Sequence, residues 1–237
     1  MRGCLIVFLF LAPALAQDVD ETARQYERAA RADPSESNLF ELGSYLLQHN
    51  GFAPGLTVFD YGVKQYPKSA RLRVGLGVAL YSLGRYDEAV ERLCQAIELD
   101  PRDTKALDFL GKMYDTSPQY ATEVGKHLAH FAQLYPENVA ANYYYALSLG
   151  NRGESYLQKA IQLNPSFTDA HYQLGVLHEN NGAIAKAIAE YEVAVKQRPD
   201  FSKAHYRLAR LYQKSGKTEL ARREFAASKS LKTAPIH

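Results

Sequence analysis

The sequence predicts an all-α fold of antiparallel helix pairs stacked into a solenoid, and three observations carry that prediction. Pro34, Pro67, Pro101, Pro136, Pro165 and Pro199 recur at intervals of 33 to 35 residues, with one interval of 29. A period near 34 is the length of one helix–turn–helix unit. Within each period apolar residues return at spacings of three and four, the rhythm of one helical face. Small residues return at fixed places where two helix backbones must come close, and a large one follows four residues later. A unit this short does not bury its own apolar face, so its neighbours must. That excludes most single-core enzyme folds and points to a binding surface.

A lone helix over about 18–32 comes first, with Tyr26 and Ala29 in the places of a second helix. Six pairs follow. Their first helices are expected at 36–49, 70–83, 104–115, 139–149, 168–181 and 202–214, and their second helices at 53–66, 86–99, 119–134, 153–163, 184–197 and 218–231. The second pair is the clearest. Leu76, Gly77 and Leu80 share a face, Gly84 supplies the left-handed stop, and Ala89, Leu93 and Ala96 mark the second helix. Pro101 ends it, because proline restricts the residue before it and cannot continue the helix. The third pair carries an extra residue, Pro118 in its turn, and a degenerate second helix with His127 and His130. The fourth has lost five residues, so Gly150-Asn151-Arg152-Gly153 must turn abruptly. The middle of the array is therefore expected to be its least regular part.

The same places recur in register. Leu42-Gly43, Leu76-Gly77, Leu110-Gly111 and Leu174-Gly175 align, with Leu208-Ala209 in the last pair. Gly55, Ala89, Ala187 and Ala221 are the small residues of the second helices, each followed by Phe59, Leu93, Tyr191 or Phe225. Over about 200 residues this pattern resembles the tetratricopeptide repeat family. The resemblance implies a right-handed superhelical solenoid whose first helices line a concave face. It leaves the bound partner open, because the family binds many things.

Composition bounds the rest. A net charge of +2 and 46% apolar residues are ordinary for a soluble globular chain, and without a polybasic run no nucleic-acid partner is expected. Residues 1–16 read as a secretory signal peptide: Arg2, an apolar core from Leu5 to Leu11, and the small-x-small site Ala14-Leu15-Ala16. The mature chain would begin at Gln17, carry one repeat domain over 17–231 and a short tail over 232–237, and have no membrane span. The alternative is an uncleaved anchor. The short signal and the absence of an Asn-x-Ser/Thr acceptor point to a bacterial periplasm. Cleavage leaves Cys94 alone, read as an inert thiol at a helix contact, with pairing to another chain as the alternative.

No complete catalytic signature is present, and neither cofactor nor metal is expected. His127 and His130 share a helical face with Glu123 close by, but read more simply as ordinary surface histidines. His171 and His205 occupy one repeat place and read as packing residues. The candidate partner-binding face takes places two, five, six, nine and twelve of each first helix. In the last three pairs this gives Tyr143, Tyr144 and Leu147, then Asp169, Tyr172, Gln173, Val176 and Glu179, then Lys203, Tyr206, Arg207, Arg210 and Gln213, a tyrosine-lined groove with a basic end. Tyr143, Tyr144, Tyr172, Gln173, Lys203, Tyr206, Arg207 and Arg210 are the expected contacts. Arginine can grip a carboxylate bidentately and tyrosine offers broad contact. Glu190 is read as a convex residue outside it.

The resemblance sharpens one point. Chaperone-binding family members hold a terminal carboxylate in a clamp. Lys203 and Arg207 match its last two places, but Gln173 replaces an asparagine, and Tyr143 and Leu147 replace a lysine and an asparagine. Half the clamp is missing. The expected function is a non-catalytic envelope adaptor binding a protein or peptide segment on its concave face. The alternative is an assembly subunit docking through its ends or convex face.

Overall fold

A computed structural model of the chain describes residues 21–233. Among the described residues it contains thirteen α-helices and two 3-10 turns, and no strand. The lone helix α1 spans Glu21–Ala32. The pairs are α2 Glu36–Gln48 with α3 Phe52–Gln65, α4 Ala70–Ser82 with α5 Tyr86–Leu99, α6 Lys105–Thr116 with α7 Ala121–Leu134, α8 Val139–Leu149 with α9 Glu154–Leu163, α10 Thr168–Asn180 with α11 Ile184–Gln197, and α12 Ser202–Lys214 with α13 Thr218–Thr233. This is the expected tetratricopeptide-like stack of helix hairpins, with bounds close to those read from the sequence. The signal peptide over 1–16 and the expected start of the lone helix at 18 lie outside the described residues. No described helix is long and apolar enough to cross a membrane.

The hairpin turns follow from one recurring backbone state. Asn50, Gly84, Gly182 and Gly216 have φ of 60°, 75°, 73° and 73°. The next residue's N–H reaches back five residues in each case: Gly51 to Leu46, Arg85 to Leu80, Ala183 to His178 and Lys217 to Tyr212, at 2.7–2.9 Å. This left-handed stop satisfies a carbonyl the helix end leaves open. In the third pair Pro118 falls on that place. A proline ring holds φ near −65°, so the left-handed state is unavailable and the 3-10 turn Pro118–Tyr120 makes the reversal. The helix expected from 119 therefore starts at Ala121. In the shortened fourth pair the 3-10 turn Gly150–Arg152 does the same work. Gly153 is required there, since a Cβ would sit 2.2 Å from the Ala146 carbonyl oxygen.

Contacts divide the chain into two compact units, with the boundary between His127 and Leu128 inside α7. In the first unit the fully buried Phe59 ring fills the space that Gly43 and Gly75 leave. A Cβ at either glycine would lie 2.6 or 2.3 Å from a ring carbon. Leu93 packs in the same way on Gly77, whose Cβ would meet it at 2.8 Å. These are the small and large places read from the sequence, and burying a side chain of this size stabilises by about 1.5–3 kcal/mol. Cys94 is buried here, and burial, then the carboxylates of Glu98, Glu123 and Glu91, push its thiol up to about 12. It stays a neutral thiol at physiological pH.

In the second unit Tyr143, Leu157, Leu174 and Leu177 form one core cluster, and Ile188, Tyr191, Leu208 and Leu211 another. Side chains six residues after each repeat proline tie off its carbonyl. Asn142 Nδ2 donates to Pro136 O at 2.9 Å, His171 Nε2 to Pro165 O at 3.1 Å and His205 Nε2 to Pro199 O at 2.9 Å. The other ring nitrogens meet carboxylates, His171 Nδ1 with Glu190 at 2.7 Å and His205 Nδ1 with Glu224 at 2.6 Å. Both histidines are buried, as packing residues should be. Glu190, read from the sequence as an idle convex residue, is instead the partner of His171.

Candidate functional site

The first-helix face of the second unit was the expected site. Its residues do not form one open patch. Tyr143 is 8% exposed and belongs to the core, with its ring 5.0 Å from Phe167. Tyr144 is half-buried against the same cluster. Gln173 lines a small cleft of about 120 Å³ with Leu147, Val176 and Leu177. Lys203, Tyr206 and Arg210 lie exposed on one face of α12, and Tyr206 is backed by Phe225 at 5.8 Å.

Tyr172 and Arg207 do meet, but inside a closed network. Arg207 Nε donates to Tyr172 Oη at 3.2 Å, and its Nη1 donates to Glu179 Oε2 at 2.9 Å. Tyr191 Oη donates to that same Glu179 oxygen at 2.9 Å. Burial, then Glu179, raise the Tyr191 phenol pKa above its ordinary value, so it remains a donor. Glu179 is only 14% exposed. Arg207 is therefore not a free carboxylate fork. Its carboxylate comes from the preceding hairpin.

The first unit is built differently at the same places. Phe40, Ser44, Leu47, Arg71, Val74, Gly75, Val78 and Lys105 line a mostly apolar cleft of about 210 Å³, with Phe59 at its floor. All but Phe59 and Gln48, which also lines it, sit at places two, five, six, nine or twelve of α2, α4 and α6, the places used for the expected site. The spacing rule finds this cleft when applied to the first three pairs. Arg71 lies 5.2 Å from the Phe40 ring centroid and donates from Nε to Glu36 at 2.7 Å. Ser69, then Arg71, lower the Glu36 pKa below its ordinary value by hydrogen bonding. Lys105 is exposed at the cleft edge, and its ammonium has no partner among the described residues. Cofactor-sized ligands need about 300–1,000 Å³, so this cleft suits one or two side chains of a larger partner.

His127 and His130 do not assemble a metal site. Glu123 pairs with Lys126 at 2.9 Å and stands 3.6 Å from His127, and no group of three His, Cys, Asp or Glu that could hold a metal occurs among the described residues.

Comparison with known proteins bears on the fold. Profiles described as tetratricopeptide repeat match residues 40–104 and 138–200, and again 181–230. The solved structure of pilF from Pseudomonas aeruginosa matches with a TM-score of 0.63 at 18% identity, covering 84% of this chain and 92% of that one. A chain of the APC/C hetero-tetramer Cut9-Hcn1 matches at 0.63 and 15% identity, covering 89% of this chain and 43% of that one. YrrB, described as a TPR protein with an unusual peptide-binding site, matches at 0.51 and 21% identity over 73% of this chain and 91% of its own. A curated relative, the probable UDP-N-acetylglucosamine–peptide N-acetylglucosaminyltransferase SPINDLY of Hordeum vulgare, is 22% identical over 180 residues. That stretch is 68% of this chain and 18% of SPINDLY, so the chain spans less than a fifth of that protein.

Proposed function

The chain belongs to the tetratricopeptide repeat family, and from that premise we propose a non-catalytic adaptor that binds a peptide or protein segment in the first-helix cleft of its first unit. Repeats of this kind present extended surfaces to protein partners. The observation that carries the reading is the apolar cleft of about 210 Å³ with Lys105 at its edge. The segment would place an apolar side chain over Phe40, Leu47, Val74 and Val78 and a carboxylate against Lys105. The rim charge sets register and on-rate, and the buried apolar contact sets most of the affinity. The proposed place of action is a bacterial periplasm, on the composition of residues 1–16, and N-terminal sequencing of the mature protein should begin at Gln17.

A displayed library of random peptides tests the site. Enriched binders should carry an apolar residue flanked by Asp or Glu. Val78→Asp should weaken them about tenfold or more and Lys105→Glu by several-fold, while Lys203→Ala and Arg210→Ala leave them unchanged. Binders lost in the Lys203 and Arg210 variants but kept in Val78→Asp would move the site to the second unit. A library with no binders would leave the assembly role ahead.

A further inference from the structure

One repeat place changes sign between hairpins. His171 and Glu190 in the fifth pair, and His205 and Glu224 in the sixth, meet at 2.7 and 2.6 Å. Counting back along the repeat, the same two places in the second pair hold Arg73 on α4 and Arg92 on α5. Where the later hairpins have a donor and an acceptor, this one has two cations, and the charge of Arg92 acts on Arg73. Among the described residues Arg73 Nε is buried without a hydrogen-bond partner, and the one bond its guanidinium makes is a long one, from Nη1 to Ser69 O at 3.4 Å. Burial, then the charge of Arg92, lower its pKa from the ordinary value. Arg92 uses Nη1 toward Gln95 Oε1 at 3.1 Å and Glu91 at 3.6 Å, and its other nitrogens have no partner among the described residues. Arg198 also has a buried, unbonded Nε, but its Nη2 donates to Asp169 at 2.6 Å and its plane lies 3.8 Å from the Phe201 centroid. Arg73 has no such partner.

We propose that Arg73 and Arg92 form a receptor for an oxyanion, a phosphate or carboxylate group that accepts from the terminal nitrogens of Arg73 and from the open edge of Arg92. The ligand replaces the carboxylate that Glu190 and Glu224 supply in the later hairpins. Arginine forks recognise either group by paired N–H donors, and an anion there offsets the charge that Arg92 places on Arg73. The site shares no residue with the apolar cleft, so it stands or falls separately from the proposed adaptor role.

The experiment is a thermal melt in sodium phosphate, and separately in sodium acetate, each against sodium chloride at equal ionic strength. Phosphate at ten times its Kd should raise the Tm of the wild type by about 3 °C beyond chloride. A response to phosphate alone assigns a phosphate-type ligand, and an equal response to acetate assigns a carboxylate. Arg92→Glu rebuilds the later hairpins' arrangement, and it should raise the Tm in chloride and abolish the anion response. Arg92→Gln should abolish the response without that gain. Arg102→Glu, an exposed charge change in the same unit, should keep the response in full. The Arg73 Nε–H resonance should shift on phosphate titration of the wild type. No increment over chloride for either anion, or an equal increment in wild type and both Arg92 variants, would overturn the proposal.

Discussion

The two units answer the same packing problem at four equivalent places and end with opposite surfaces. In the second unit these places hold Tyr172, Glu179, Tyr191 and Arg207, and the polar groups close on one another at 2.9–3.2 Å. In the first unit they hold Phe40, Leu47, Phe59 and Gly75, and what remains is an apolar cleft. Both seat a large ring against a glycine of its own hairpin, Phe59 on Gly43 and Tyr191 on Gly175. They differ in whether the junction consumes its own chemistry. The network engages Arg207 Nε and Nη1 and Glu179 Oε2 internally, whereas an apolar junction without a side chain at Gly75 leaves surface still facing water. Here the cluster of charges in the second unit is a lock between hairpins, and the plainer face of the first unit is the one that the proposed adaptor role uses.

The largest break in this comparison comes from Phe59→Ala. The ring is fully buried and bridges two hairpins, so its loss should cost about 3–5 kcal/mol. In a stacked repeat that loss spreads to the neighbouring hairpins. A denaturant melt should show the first unit unfolding ahead of the second. A melt indistinguishable from wild type would mean that the ring does not carry the junction.

Arg207→Ala comes next. It leaves the largely buried Glu179 carboxylate with Tyr191 as its remaining donor, and should lower stability by about 1.5–3 kcal/mol, the scale of a hydrogen bond to a charged group. Binding of a peptide held by the first unit should not change. If affinity falls and the melt does not, the arginine faces a partner after all. Glu190→Ala should also destabilise, by about 1–3 kcal/mol, because it strips the buried His171 Nδ1 of its partner. Urea titration of the purified variant measures this.

How much of this could be read in advance divides along physical lines. Hairpin positions were legible because proline and positive-φ residues act locally: Pro101, Gly84 and Gly182 each fix a boundary without tertiary help. The turn of the third pair was only half legible. Pro118 was visible as an intruder, but not that it sits on the left-handed place and forces a 3-10 turn. The spacing rule lands on the cleft residues Phe40, Leu47 and Val78 of the first unit, but charge and tyrosine drew attention to the last three pairs. Arg207 looked free because its partner Glu179 lies 28 residues earlier and is brought to it only by stacking. Place twelve of one hairpin meets place six of the next, and that register rule would have predicted the pair. Glu190 meets His171 within one hairpin, nineteen residues along the chain, and that pairing lies outside this rule.

Tyr191→Phe is the smallest of these changes and isolates the hydroxyl. Phe59 shows that a bare ring satisfies the same place in the first unit, so the substitution keeps the fit against Gly175 and removes one donor from Glu179. Arg207 still meets that carboxylate, so the expected cost is about 0.5–1.5 kcal/mol. The pH dependence follows from the phenol. Its pKa is raised on folding, first by burial and then by Glu179. The protonated form is the stable one, so its contribution is complete below the unfolded tyrosine value near 10 and fades only as pH climbs beyond it. The stability difference between wild type and Tyr191→Phe, measured by urea titration, should therefore stay flat from about pH 6 to 9. A difference that vanishes within that window would mean that Tyr191 loses its proton there and is not the buried donor to Glu179. The lock that distinguishes the second unit would then rest on Arg207 and Tyr172 alone.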